Sequence, residues 1–158
     1  MAIVFGDGST QYHRARTVNW SSNKLTAQTT SYSSNGANYQ SLGLYTSTLT
    51  PKSSSSWFHV TASIPLRRDN NNTTMSLAIY RSQSGNSGWI QAASNYYNVS
   101  GQLMHHCFDF IDQPNNANSI TYYVYTGWYT ANTEVAYINY QPGTIIADSS
   151  WISVEELL

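Results

Sequence analysis

From Trp57 to Ile64 the chain alternates with a period of two. Phe58, Val60, Ala62 and Ile64 fall on one side of an extended backbone, and Trp57, His59, Thr61 and Ser63 on the other. That is the signature of a half-buried β-strand, and it excludes an amphipathic helix over the same stretch. Met75, Leu77 and Ile79 repeat the pattern, so they are expected to face inward on the next strand. Turn residues punctuate the rest at near-regular spacing: Asn35-Gly36, Asp69-Asn70-Asn71-Asn72, Ser84-Gly85-Asn86-Ser87-Gly88, Pro114-Asn115-Asn116, Thr130-Ala131-Asn132 and Gln141-Pro142-Gly143. Further strands are expected near Leu25–Thr30, Leu42–Leu49, Trp89–Ala92, Leu103–Ile111, Ile120–Tyr129, Val135–Tyr140 and Trp151–Glu155. Pro65 is expected to end the Trp57 strand or mark it as an edge. No helical period of useful length occurs, and residues 91–95 allow at most a turn. Many short strands with Asn/Gly/Pro turns indicate an all-β sandwich or barrel.

Charge is scarce. Only 9% of the 158 residues are Asp, Glu, Lys or Arg, against roughly 25% in a typical soluble domain, and the net charge is −1. Ser, Thr, Asn, Gln and 13 Tyr take the places that charge would occupy, together with 5 Trp. A surface of hydroxyls and amides is weakly protected by repulsion, so like subunits can approach one another. Tyr and Trp add rigid contact area with a polar handle. A nucleic-acid partner is not expected, because Arg14/Arg16 and Arg67/Arg68 are pairs rather than a basic face. Cys107 is the single cysteine, so no intrachain disulfide can form. The opening residues carry no secretory signal and no apolar run is long enough to span a bilayer, so a product made in the cytoplasm without membrane insertion is expected.

Two units are expected: an arm over 1–20 and a head over 21–158. Ile3-Val4-Phe5 reads as an apolar strand, Gly6-Asp7-Gly8-Ser9 as a tight turn and Thr10-Gln11-Tyr12 as a return strand. A free apolar strand is a liability. The arm therefore either adds to a sheet on a partner, with Ile3, Val4, Phe5 and Tyr12 buried there and Arg14 and Arg16 reaching acidic groups, or folds back as the first strand of its own sandwich.

Reactive side chains cluster once, in His105-His106-Cys107-Phe108-Asp109. On a strand His105, Cys107 and Asp109 share one face, where three such groups can ligate a metal. Zinc sites draw ligands from two separate segments, however, and no second cluster exists. Interface hydrogen bonding by the histidines and packing of a small thiol is the better reading. Residues 105 and 107 are too close for a Cys–His dyad. A glycosidase pair would have to be drawn from Asp109, Asp112, Glu134 and Asp148, which read as turn and strand-end residues. Gly6-Asp7-Gly8 is not a phosphate loop, because no helix pattern or lysine follows it. No enzyme activity and no cofactor are expected.

The opening Ile3-Val4-Phe5-Gly6-Asp7-Gly8-Ser9-Thr10-Gln11 resembles a short element of tailed-phage fibre and virion proteins. The closing Ser149-Ser150-Trp151-Ile152-Ser153-Val154-Glu155-Glu156-Leu157 is similar to the last strand of phage trimeric β-domains. The late aromatic strands, with Tyr122, Tyr123, Tyr125, Trp128, Tyr129, Tyr137 and Tyr140, resemble the jelly roll of the tumour-necrosis-factor and complement-head class. These resemblances imply a homotrimeric, jelly-roll-like β-sandwich in a virion, with Tyr122, Tyr123, Tyr125, Tyr137 and Tyr140 at the trimer interface. With no shaft repeat present, they imply a capsid decoration (cement) protein that binds itself and the major capsid protein or another virion protein. The alternative is a tail fibre or knob whose Trp57, Trp89 and Trp128 stack on host glycan. A small polysaccharide hydrolase comes last, for want of carboxylates.

Overall fold

A computed structural model describes residues 2–4, 10–12, 17–25, 39–68, 75–95, 103–128, 136–139 and 149–157. Among them every regular element is a strand: β1 (Ala2–Val4), β2 (Thr10–Tyr12), β3 (Thr17–Leu25), β4 (Gln40–Tyr45), β5 (Trp57–Arg68), β6 (Met75–Gln83), β7 (Gly88–Asn95), β8 (Leu103–Asp112), β9 (Ile120–Trp128), β10 (Ala136–Ile138) and β11 (Ser150–Leu157). β1 and β2 pair with each other as a separate antiparallel hairpin, with Ile3 opposite Gln11. The remaining strands make two antiparallel sheets. One runs β3-β11-β5-β8, and short β10 lies beside the end of β5. The other runs β4-β9-β6-β7.

From β3 onward the chain changes sheet at nearly every step, staying in one sheet only from β6 to β7 and from β10 to β11. Strands distant in sequence therefore become neighbours: β3 beside β11 and β4 beside β9. This order is the double Greek key of a jelly roll. The protein is an all-β jelly-roll sandwich.

Its core forms where the inner faces of the two sheets meet. Phe58, Val60, Ala62, Ile64 and Leu66 of β5 face Leu77 and Ile79 of β6 and Tyr122 and Val124 of β9, all buried in one cluster with Ile152 and Val154 of β11. Burying each large side chain fully contributes ~1.5–3 kcal/mol, so this interior dominates the stability. The period-two reading of β5 holds from Trp57 to Ile64, and Leu77 and Ile79 of β6 are buried as expected, with the small Ser76 and Ala78 beside them buried as well; the side chain of Met75 lies outside the described residues.

β5 does not stop at Pro65. It continues to Arg68, because the proline falls in a gap between neighbours. In an antiparallel ladder the N–H and C=O of one residue point to the same side. The Pro65 carbonyl accepts a hydrogen bond from the Asn139 N–H at 3.0 Å, so the missing donor lies on that side too. There β11 has ended at the Trp151–Ser63 pair, and β10 resumes only at Leu66. The proline thus removes no ladder bond.

The strand expected near Leu25–Thr30 falls, beyond Leu25, outside the described residues; the strand described next to it is β3, from Thr17 to Leu25. Its inner face is polar because it covers backbone rather than core. Asn23 Nδ2 donates to the Tyr45 carbonyl at 2.9 Å, and the Ser47 N–H donates to Ser21 Oγ at 2.8 Å. The turn allowed at 91–95 is the second half of β7, paired to β6 through Met75–Asn95.

Candidate functional site

The sandwich carries chemistry in three places: one end of its interior and the two outer sheet faces. At the interior end, alternation turns Arg81 of β6, Asp112 of β8 and Tyr122 of β9 inward. Arg81 Nη1 donates to both Asp112 carboxylate oxygens at 2.6 and 2.7 Å, and the Tyr122 hydroxyl donates to Asp112 Oδ2 at 2.7 Å. Arg81 Nε donates to the Asn86 carbonyl at 2.9 Å, which ties the pair to the β6–β7 turn. Burial, then the adjacent Asp112 charge and its hydrogen bond, push the Tyr122 phenol far above the ordinary tyrosine range, with Arg81 opposing. It remains a protonated donor. A buried pair of this kind is a structural lock, since removing one partner strands the other at a cost of about 3–5 kcal/mol. Tyr122 is therefore corrected from the trimer-interface set: its ring is core, against Phe58 at 6.3 Å.

The outer face of the five-stranded sheet carries His59, Cys107, Asp109 and three tryptophans. His105, Cys107 and Asp109 are all exposed there, as alternation requires. Asp109 Oδ1 lies 2.7 Å from His59 Nε2 on the neighbouring strand, and Cys107 Sγ lies 3.8 Å from Ser63 Oγ. Among the described residues no three His, Cys, Asp or Glu side chains are grouped to hold a metal ion. The surface His–Asp pair is solvated and contributes little to stability. Register places Trp20 opposite Glu155, Glu155 opposite His59, and His59 opposite Ile111. Trp57 and Trp151 sit on the same face, and Trp20 is the most open of the three at 65% exposure.

The outer face of the four-stranded sheet is a continuous aromatic surface. Trp89 of β7 is the hub, with ring centroids 4.7 Å from Tyr39, 5.0 Å from Tyr80 and 5.1 Å from Tyr125. Tyr125 leads to Tyr123 at 6.5 Å, and Tyr123 to Tyr45 at 5.4 Å. The rings cross all four strands. Gly127 makes room for part of this surface: a Cβ there would lie 3.0 Å from the Tyr39 ring.

Sequence had assigned Tyr123 and Tyr125 to one role and Trp89 to another, yet they form one cluster. Trp57 lies on the opposite sheet from Trp89. Tyr39, Tyr45 and Tyr80 were not singled out, nor were Trp20 and Trp151. Only alternation within their strands distinguishes Trp20, Tyr45, Tyr80 and Trp151 as outward-facing, and Tyr39 precedes β4. Side chains of Ile3, Val4, Tyr12, Trp128 and Tyr137, and all of Phe5, Arg14, Arg16 and Tyr140, lie outside the described residues. The hairpin backbone pairs with itself rather than entering either sandwich sheet. No protein-family model and no curated protein matches this chain.

Solved structures of infectious bursal disease virus are similar to it in fold. The Gt strain structure shares 12% identity over 100% of this chain and 46% of that one, with a TM-score of 0.47. The Gx strain structure shares 10% identity over 99% and 44%, with a TM-score of 0.49. The VP2 subviral particle of the same virus shares 11% identity over 89% and 41%, with a TM-score of 0.47. The chain spans less than half the length of each.

Proposed function

We propose that this chain is a virion structural protein, a homotrimeric jelly-roll subunit that decorates a capsid shell. The observation that carries this reading is that both outer faces of the sandwich expose large aromatic side chains on a chain almost without charge. A lone monomer would leave two apolar surfaces in water, which is unusual unless they are interaction sites. The tryptophan face, with Trp20, Trp57, Trp151 and Ile111, is the broader apolar surface and serves trimer contact. Tyr123 and Tyr125 are left to the opposite face, where they belong to the Trp89 cluster. The resemblance of both chain ends to phage virion elements supports the virion context. Among the described residues the self-paired β1–β2 hairpin pairs with no further strand, and it docks on a shell subunit by strand addition. Three weak contacts on one trimer then bind by avidity.

Light scattering tests the assembly. The purified protein is expected at about three times its 17.7 kDa chain mass, and replacing Trp20, Trp57 and Trp151 with Ser returns a folded monomer. Co-sedimentation with preformed capsids tests the decoration: stoichiometric binding is expected, weakened by deleting residues 2–16. A wild-type monomer at micromolar concentration overturns the trimer, and undiminished capsid binding after the deletion overturns the arm's role.

A further inference from the structure

We infer that the outer face of the β4-β9-β6-β7 sheet is a binding site for a neutral saccharide chain, with the Trp89 indole as its stacking platform. Such binding goes beyond the assembly reading and does not depend on it.

Trp89 is held by its neighbours without being covered by them. Tyr80 and Tyr125 meet it edge-on, at 70° and 82°, and they meet each other at 68°. Tyr39 leans on it at 40°, and its position beside the sheet depends on the missing side chain at Gly127. The indole nevertheless remains 52% exposed. Its rotamer is therefore set before any ligand arrives, so little ordering entropy is left to lose on binding. A flat apolar ring that is half open to solvent can stack on the C–H face of a pyranose. The tyrosine hydroxyls, with those of Ser41 and Ser82 on the same sheet, offer partners to the sugar hydroxyls around it.

Charge decides the class of sugar. In the sequences of β4, β6, β7 and β9 the single charged residue is Arg81, and it is turned inward onto Asp112. A uronic acid, a sialic acid or a phosphorylated sugar would find no counter-charge here and would lose solvation on docking. A neutral polymer loses nothing comparable.

The open ring area suits a small occupant. Trp89 and Tyr45 are about half exposed and the other four rings less so. With ~150–250 Å² per aromatic side chain, the open ring surface is on the order of 300 Å². A stable protein interface takes ~800 Å² from each partner. Across four strands spaced ~4.8 Å apart, the row is about 14 Å long. That suits a few consecutive sugar rings better than a single monosaccharide.

Native affinity electrophoresis of the full chain through gels containing a mixed-linkage β-glucan, a xylan or a galactomannan tests this, with alginate as the anionic comparison and a neutral glycan array for the oligosaccharides. At least one neutral polymer is expected to retard the protein, with quenching of tryptophan fluorescence, and alginate is not. Trp89→Ala should weaken that binding at least tenfold, Trp89→Phe should retain most of it, and Gly127→Val should weaken it by displacing Tyr39. Circular dichroism and light scattering of the same variants separate binding from folding and assembly. No retardation by any neutral polymer and no array signal would overturn the inference, as would binding that survives Trp89→Ala in a folded protein. A trimer that dissociates on Trp89→Ala would give the face to a second copy instead.

Discussion

Single residues in this sandwich are placed by partners far away in sequence. Asp112 meets Arg81 across 31 positions and Tyr122 across 10, and no local pattern reveals such a lock. Alternation did show that Tyr122 and Tyr123 must face opposite ways. It did not show which ring was core, because both are equally apolar and equally hydroxylated. His106 is a second inward polar residue: it is buried opposite Ile64 on β5, while its neighbours His105 and Cys107 face solvent. Burial holds its imidazole below the usual value of 6.5, so the folded chain keeps it neutral where the unfolded chain takes up a proton. The unfolded state then binds more protons as pH falls through about 6.5, and stability present above that pH is lost below it. The loss approaches ~1.4 kcal/mol per pH unit at most. Denaturant melts between about pH 7.5 and 5 should show this slope, and His106→Gln should flatten it. An unchanged slope in the variant would assign the acid sensitivity to other groups.

Whole strands were legible where their inner faces are apolar. β5, β6, β9 and β11 all bury alternate aliphatics or aromatics against the opposite sheet, so period two identified them from residues alone. β3 went unread because Asn19, Ser21 and Asn23 fill the inward positions of an edge strand, where hydrogen bonds with Tyr45 and Ser47 replace core packing. The junction of β3, β5 and β11 was equally hidden. Buried Asn139 adopts a left-handed φ of 57°. Its Nδ2 donates to the Leu25 carbonyl and its Oδ1 accepts from both the N–H and the hydroxyl of Ser150, each at 2.7 Å. β4 carries the other backbone irregularity that matters. Its pairing with β9 slips between Ser41 and Tyr45, and Gly43 sits in the slip with φ of 70°. Leu42 and Leu44, two positions apart, both bury on the inward face on either side of Gly43. A Cβ at Gly43 would meet nothing within 4 Å, so Gly43→Ala isolates the backbone cost. A destabilisation of about 1–2 kcal/mol is expected from the left-handed conformation alone, with Gly43→Asn milder, read as a shift in the urea midpoint at constant m-value. A neutral Gly43→Ala would mean that the bulge relaxes into an ordinary ladder.

At the scale of the molecule, the two outer faces differ in chemistry although both are aromatic. The Trp89 face has no outward charge. The tryptophan face mixes its indoles with Lys24, Glu155 and the His59–Asp109 pair. The mixture raises a choice that composition alone left open: the proposed trimer contact on that face would be driven either by burial of Trp20, Trp57 and Trp151 or by matched charges between copies. Salt separates the two. Charge pairs exposed at an interface rim weaken once the screening length falls from ~10 Å to ~3 Å, between about 0.1 M and about 1 M salt. Apolar burial does not weaken, and excluded salts such as sulfate strengthen it. So few charges are available that the apolar term should win, because even three well-placed exposed pairs contribute only about 1 kcal/mol each, whereas each buried indole contributes more. The mass of the proposed trimer is therefore expected to persist from low to high sodium chloride and to resist dilution better in sulfate. Dissociation on adding salt would make Lys24, Glu155 and Asp109 the determinants of assembly and reduce the tryptophans to neighbours of the contact.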